Sequence, residues 1–245
     1  MLKKSKPLSA FQSIRSTPLH PQWLQNRREK LLRPLHNYAR GTVLDIGSNS
    51  RWAQRAISEE HVYWAIDYPA TSTFYNSTPH IFGDAQALPF KSSSVETVLL
   101  FEVLEHLPDP ARALRESHRV LKDGGHLLLS VPFLHPIHDS PFDFRRFTKH
   151  GLELELSQAG FDEHHIQGSS NTFDSSITLL NITIASVALD TDEKVLVRVL
   201  FFLLSFSIPI LNILGWLASK ISRRQEFLTA GYIVIAKKIV TKNHL

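Results

Sequence analysis

The stretch from Pro132 to Thr148 is dense in side chains able to do chemistry: His135, His138, Asp139, Asp143, Arg145 and Arg146, interleaved with phenylalanines. Histidine is the side chain whose ordinary titration range brackets neutral pH, so His138 is a candidate general base, with Asp139 or Asp143 to orient its ring. Arg145 or Arg146 is placed to hold an anionic group of a substrate. A plainer reading stands beside this one. Asp143 and Arg146, three residues apart, can simply be an ion pair that fixes the loop. Upstream, Glu105-His106 offers a second histidine, catalytic or structural. A metal site built from His135, His138 and Asp139 is disfavoured, because the prolines between them preclude the i,i+4 helical spacing of zinc hydrolases; no metal is expected.

A second group lies near the start of the chain, in VLDIGSNS at 43–50 and in Asp67, twenty residues after Gly47. A glycine directly after a buried strand lets the backbone pass close to a ligand, and the turn behind it presents unpaired amides. A carboxylate at the tip of the next strand can accept hydrogen bonds from both hydroxyls of a ribose and would repel a 2′-phosphate. These are the parts of a nucleotide site.

Alternating strands and helices must position both groups. Thr42–Ile46 reads as a buried strand, Arg51–Glu59 as a helix, His61–Ile66 as a second strand and His80–Phe82 as a short third. Val95–Phe101 is an apolar run of strand length. Asp109 caps the following helix with Pro110 in its first position; Ala111, Leu114, His118 and Leu121 form its inner face, and Arg112 pairs with Glu116 outside. Asp123-Gly124-Gly125 turns into strand His126–Val131. Thr148 caps a helix whose inner residues are Leu152, Leu156 and Ala159 and which Gly160 ends. Phe161–Gln167 and Gly231–Lys237 complete seven strands, and Pro21–Tyr38 reads as a leading helix. This alternation implies an α/β fold with a mostly parallel sheet and helices on both faces.

The order of the segments GDAQALPF at 83–90, LEHLPDP at 104–110 and RVLKDGG at 119–125 after VLDIGSNS resembles the class I S-adenosylmethionine-dependent methyltransferases of the small-molecule type. The likeness covers roughly Gly41 to Phe161. It implies a Rossmann-like seven-stranded sheet, S-adenosyl-L-methionine as cofactor, and a binding set of Asp45, Gly47, Ser48, Asn49, Asp67, Asp84, Ala85, Phe101 and Glu102. Within that set Asp67 is implied as the ribose acid, Asp84-Ala85 as the adenine contact, and Phe101-Glu102 as the floor below methionine. A nicotinamide dehydrogenase shares the glycine turn and the ribose acid but not the later segments. The glycine loop departs from the family pattern: its second glycine position holds Asn49 and its third Ser50. Asparagine tolerates positive φ, so the loop can still close. Pro141-Phe-Asp143-Phe-Arg-Arg146-Phe-Thr148 is similar to a P-x-D-[FY]-x-R-[FY]-T pattern in methyltransferases of bacterial surface-polysaccharide pathways. The resulting expectation is an enzyme that methylates a small, glycan-type or lipid-linked acceptor, on oxygen rather than carbon, with His138, His106, Asp143 and Arg146 as catalytic candidates. The competing expectation is a catalytically degenerate copy scaffolding a membrane-bound complex.

Composition excludes other classes. The 245 residues suit one sizeable α/β domain, 19–240, behind a basic tail at 1–18; 43% hydrophobic and 20% charged residues argue against disorder. No cysteine is present, which excludes disulfides and thiolate metal sites. The net charge of +4 comes without a dense basic run, so no nucleic-acid partner is expected. Residues 1–28 carry Lys3, Lys4, Lys6, Arg15, Arg27 and Arg28 before the first acid, Glu29: a solvated tail, or a stretch drawn to anionic lipid. No apolar stretch of signal-peptide length follows the charged start, and a cytoplasmic body is expected.

The insert at about 175–222 is the least family-like part. Val199–Ser219 is uncharged, and as a helix would reach about 30 Å, enough to cross a bilayer. Ser176–Leu189 is a second uncharged run of roughly 20 Å. A single crossing would strand the last strand on the far side of the membrane. The insert is therefore a hairpin broken near Pro209, an interfacial element at the inner face of a membrane, or an apolar lid or dimer face that never meets lipid. Trp216 and the flanking Lys and Arg suit an interface.

Overall fold

The computed structural model describes residues 12–71, 78–190, 192–221 and 228–239. Lys3, Lys4, Lys6, Arg223 and Arg224 lie outside the described residues. The chain divides into two compact units. A sheet unit holds 29–132, 144–167 and 232 onward; a helical unit holds the stretch through Arg28, the loop 133–143, and 168–231.

Seven strands form the sheet: β1 (Thr42–Ile46), β2 (Val62–Asp67), β3 (Ile81–Phe82), β4 (Val95–Phe101), β5 (Leu121–Pro132), β6 (Glu163–Gly168) and β7 (Gly231–Lys237), in the order β3-β2-β1-β4-β5-β7-β6. Pairing is parallel from β3 through β5. β7 runs antiparallel to β5: Gly124 N–H donates to Lys238 O at 2.8 Å and Lys238 N–H to Gly125 O at 2.9 Å. The sheet is thus mostly parallel, as the alternation predicts. β1 and β4 are buried on both faces, as strands covered by helices must be. One core cluster gathers Leu35, Ala39, Val43, Ala53, Leu99 and Leu128.

Three helices belong to this unit: α1 (Arg27–Tyr38), α2 (Pro110–Val120) and α3 (Lys149–Gln158). The expected caps are in place. Asp109 accepts from Arg112 N–H, Thr148 accepts from Gly151 N–H, and Gly160 follows α3 at φ +94°. Other details differ from expectation. The leading helix is split, with a 3-10 turn at Trp23–Gln25 and then α1, because Asn26 takes φ +26° between them. Only one 3-10 turn, Ala53–Ala56, forms within 51–59, since Arg51 is left-handed at φ +50° and Ile57 is extended. Strand five begins at Leu121, directly after α2, and strand six at Glu163, because Phe161 N–H still closes α3 on Leu156 O at 2.9 Å.

α2 buries Ala113, Leu114, Ser117 and Val120 rather than Ala111 and His118. Glu116 pairs with Arg119, not with Arg112, through two 2.7 Å hydrogen bonds. It also accepts from Leu88 N–H at 2.8 Å, while Arg119 donates to Leu88 O and Phe90 O. The pair therefore clamps the Leu88–Phe90 backbone to α2, a reason for those two segments to occur together.

The helical unit contains α4 (Thr172–Leu189), α5 (Val195–Ser205) and α6 (Ile208–Ile221). α4 packs on α5, on α6 and on the Trp23–Gln25 turn. Ile184, Ala185 and Ile208 form its small core with Phe201 and Leu211. The break expected near Pro209 falls at Phe206–Ser207, where the α5 and α6 axes bend by 48°. Pro209 sits in the first turn of α6, where its missing N–H leaves no gap. Among the described residues, α4 alone is by itself long and apolar enough to cross a membrane; α5 and α6 reach that length only together, across the bend.

Candidate active site

At the carboxyl end of β1 the chain turns through Gly47 at φ +71°, its N–H on Ile66 O at 2.9 Å. A Cβ on Gly47 would lie 2.4 Å from Val103 Cγ2, so both backbone angle and space require glycine. Asn49 takes φ +43° and donates its N–H to Asp67 Oδ2 at 3.1 Å. The turn and the β2 carboxylate therefore meet directly, and asparagine supplies the left-handed residue where the family pattern has glycine. Asp67 Oδ1 also accepts from Tyr68 N–H at 2.9 Å and from the Thr71 hydroxyl. Three of its roughly four acceptor positions are thus taken within the protein. One acceptor position on Oδ2 is left for a ligand among the described residues, and a second ribose hydroxyl requires the Thr71 hydroxyl to turn back to Tyr68 O alone, 2.6 Å away.

Asp45 does different work from its neighbours. It is buried in β1 and accepts from the Tyr63 hydroxyl. Burial pushes its pKa up to about 7; the Tyr63 bond opposes that and the nearby Asp67 charge adds to it. Ser48 Oγ is buried without a hydrogen-bond partner among the described residues. An orphaned hydroxyl beside Asp67 at the strand tips is the polar feature that a nucleoside would satisfy, so the residues fit the cofactor the resemblance implies.

The remaining cofactor candidates line neighbouring tips of the same sheet. Asp84 forms a tight turn, accepting from Gln86 N–H at 2.8 Å, with Ala85 buried inside it. Gln86 Oε1 in turn accepts from Asp109 N–H at 2.9 Å, which ties this turn to the cap of α2. Glu102 takes φ +55° after β4 and is held by Ser130, whose hydroxyl donates to Glu102 Oε1 at 3.0 Å. Phe101 stacks on Trp52, centroids 5.7 Å apart and planes 29° from parallel. Sequence reasoning missed Trp52; its place in the helix expected after the glycine loop was the available signal.

The four catalytic candidates fall in two groups. His106 and Arg146 belong to the sheet unit. His106 Nε2 lies 3.7 Å from Glu105 Oε1, a fully buried carboxylate. Arg146 donates to Arg145 O at 2.9 Å, and Arg145 to Pro108 O at 3.0 Å. His138 and Asp143 lie together in the helical unit. Asp143 Oδ2 accepts from His138 backbone N–H at 2.9 Å and lies 3.2 Å from His138 Nδ1, with Pro136 O 3.3 Å from the same nitrogen. Two acceptors around Nδ1 favour a proton on that nitrogen. Of the two orienting acids considered, Asp143 is the one that meets His138.

A family model described as a methyltransferase domain matches residues 30–129. A Mycolicibacterium smegmatis protein named "Probable S-adenosylmethionine-dependent methyltransferase" is 27% identical over 173 residues, 66% of this chain and 67% of its own. A rice protein, 2-methyl-6-phytyl-1,4-hydroquinone methyltransferase 1, is 29% identical over 125 residues, 46% of this chain and 38% of its own. Among solved structures, a SAM-dependent methyltransferase from Archaeoglobus fulgidus superimposes with a TM-score of 0.56 at 15% identity, covering 94% of this chain and 99% of that one, a likeness of fold. With the glycine turn joined to Asp67 across the tips of β1 and β2, residues 30–129 form a methyltransferase domain of the class I S-adenosylmethionine-dependent type, an enzyme domain whose cofactor is S-adenosyl-L-methionine.

Proposed function

We propose that this enzyme methylates a hydroxyl of a lipid-linked or otherwise lipophilic acceptor, of small or glycan type, at the inner face of a membrane. The observation that carries the oxygen preference is the acid–imidazole pair, His138 Nδ1 3.2 Å from Asp143 Oδ2. When bound, S-adenosylmethionine supplies an electrophilic methyl on a sulfonium. A neutral hydroxyl attacks such a centre poorly until its proton is removed, and the His138 imidazole is the group to remove it. Asp143 holds the ring in the required tautomer and stabilises the imidazolium that results, a function general-base histidines commonly assign to a carboxylate. Arg145 and Arg146 are suited to an anionic part of the acceptor, such as a phosphate linkage.

Support for the membrane comes from α5 and α6. No residue of α5 is buried, although nearly every one is apolar. Leu196, Leu200 and Leu203 on α5, with Ile210, Leu214 and Ile221 on α6, are all exposed. So large an apolar surface marks a docking face. At its end Lys220 Nζ lies 5.2 Å from the centre of the Trp216 ring, an aromatic–cation pair of the kind that sits at a headgroup layer. The rice relative's name, with its phytyl-substituted acceptor, is consistent with a lipophilic substrate.

Labelled methyl donor incubated with cell extract and its lipid fraction tests both halves. Label in a lipid-extractable product that survives mild base, as an ether does and an ester does not, is expected. Label confined to water-soluble products overturns the lipophilic acceptor. A protein found wholly in the soluble fraction as a dimer assigns the exposed face to a second copy instead.

A further inference from the structure

The exposed face of the helical unit is apolar, but it is not without charge. From Lys194 through Ile221 the sequence holds three charged residues, Lys194, Arg198 and Lys220, all of them cations. The helix packed on α5, α4, is uncharged from Ser175 through Leu189. Lys194 stands just before α5 and Lys220 in the last turn of α6. Arg198 differs from both. It sits one turn inside α5, its backbone N–H donating to Lys194 O at 3.0 Å, among Val195, Leu196, Val197, Val199 and Leu200.

Its place on the helix decides what it can reach. Val197, Arg198, Phe201 and Ser205 are the half-buried residues of α5, and Phe201 packs against the core of Ile184, Ala185 and Ile208. Val195 and Phe202, three residues before and four after Arg198 and so beside it on the helix, are exposed. Arg198 therefore stands on the flank, between the covered side of α5 and the bare one. Its Nε is buried without a hydrogen-bond partner among the described residues. A charged donor in that condition costs free energy until an acceptor meets it. The guanidinium is a planar fork that matches two oxygens of one phosphate. When a helix lies in the interface with its apolar side among acyl chains, its flanks are at headgroup depth, and long cationic side chains extend there. The Trp216–Lys220 pair of α6 suits the same depth.

We propose that Arg198 is a lipid-binding residue: its guanidinium takes the phosphate of an anionic phospholipid and so fixes the depth and rotation of α5 in the headgroup layer. The inference rests on the reading of the exposed α5–α6 face as a membrane surface and adds to it the chemistry of the headgroup. Charge complementarity favours lipid over a second copy of the chain. Two copies seated face to face would bring the same cations together, with no acid from 194–221 to meet them.

The test is flotation of the full-length protein with vesicles of phosphatidylcholine alone and of phosphatidylcholine mixed with phosphatidylglycerol. Wild type, Arg198→Leu and Arg198→Lys are compared, with helix content and S-adenosylhomocysteine affinity as checks on folding. Wild type should prefer the mixed vesicles. Arg198→Leu should bind them about tenfold more weakly, the worth of a charge-assisted hydrogen bond, although the change makes α5 more apolar. Arg198→Lys keeps the charge but not the fork and should fall between the two. Because lysine also keeps an aliphatic stem against α4, it decides the matter should the leucine variant misfold. Arg198→Leu bound as tightly as wild type, or more tightly, overturns the inference, since apolar burial alone would then drive docking. Arg198→Lys equal to wild type overturns it too, leaving only diffuse attraction to a negative surface. So does a wild type indifferent to phosphatidylglycerol. A wild type that floats with neither vesicle sinks the membrane reading itself, and this inference with it.

Discussion

The two units use apolar residues in opposite ways. In the sheet unit the most apolar elements, β1 and β4, are its most buried, and their hydrophobic side chains are matched by partners within the same unit. In the helical unit α5 is as apolar as any strand yet has no fully buried residue, while the buried positions of α4 and α6 include the Asn181–Asn212 pair. Hydrophobicity in the first case records a finished core. In the second it records a surface that the described residues leave exposed, beside a small apolar core and a buried asparagine pair.

If the difference is functional, the units should fail separately. His138→Gln should lower methyl transfer by about 10²–10⁴-fold, the usual worth of a general base, and leave S-adenosylhomocysteine affinity unchanged by calorimetry. The reverse is expected of Asp67→Ala. Cofactor affinity should drop on the order of 100-fold as charge-assisted bonds to the ribose and to Asn49 vanish, while hydrogen-exchange protection in α4 and α6 stays as it was.

Stability should divide along the same line. Asn212→Ala takes the partner from the Asn181 amide and one donor each from Pro18 O and His20 O, the latter keeping Trp23 N–H; the helical unit should lose about 2–3 kcal/mol in exchange protection, the sheet unit little. The two units should also respond to pH with opposite sign. Asp45 keeps its proton in the folded state up to about pH 7 but loses it near 3.8 when unfolded, so its contribution falls as pH rises between those values. His20 is neutral when folded down to about pH 4 but protonates near 6.5 when unfolded, so its contribution is lost as pH falls through that window. Exchange measured from pH 5 to 7 should show β1 and β2 loosening with rising pH and the Trp23–Gln25 turn tightening. Asp45→Asn should flatten the first trend only; a flat profile for β1 in wild type would contradict the assignment.

The smallest stability effect belongs to the exposed face. Exchanging Leu196, Leu200 and Leu203 for serine should change stability by no more than about 0.5 kcal/mol per site, because the described residues leave more than half of each exposed. The same change should abolish flotation with anionic vesicles. Unchanged flotation would remove the membrane from the account.

Legibility in the sequence followed the same division. The strands, the Asp109 and Thr148 caps and the link between Gly47 and Asp67 could be read because each depends on residues close in sequence or on a strand period that burial enforces. Less local features were misjudged. The pairing of Glu116 with Arg119 depends on where the Leu88–Phe90 backbone passes, and the short turn after Arg51 depends on left-handed residues whose angles no side-chain pattern announces. Glu105 and Trp52 looked ordinary until neighbouring elements closed over them.

The amino-acid sequence by itself determined the alternating α/β plan, the cofactor turn and the presence of a charge-free insert, since periodicity, glycine and capping chemistry act over a few residues. Only the tertiary structure decided which acid meets His138, that Gln22 reaches His135 across more than a hundred residues, and that α5 is left uncovered. Those outcomes depend on which distant segments come within hydrogen-bonding or van der Waals range, and forces that short reveal nothing until the chain has folded.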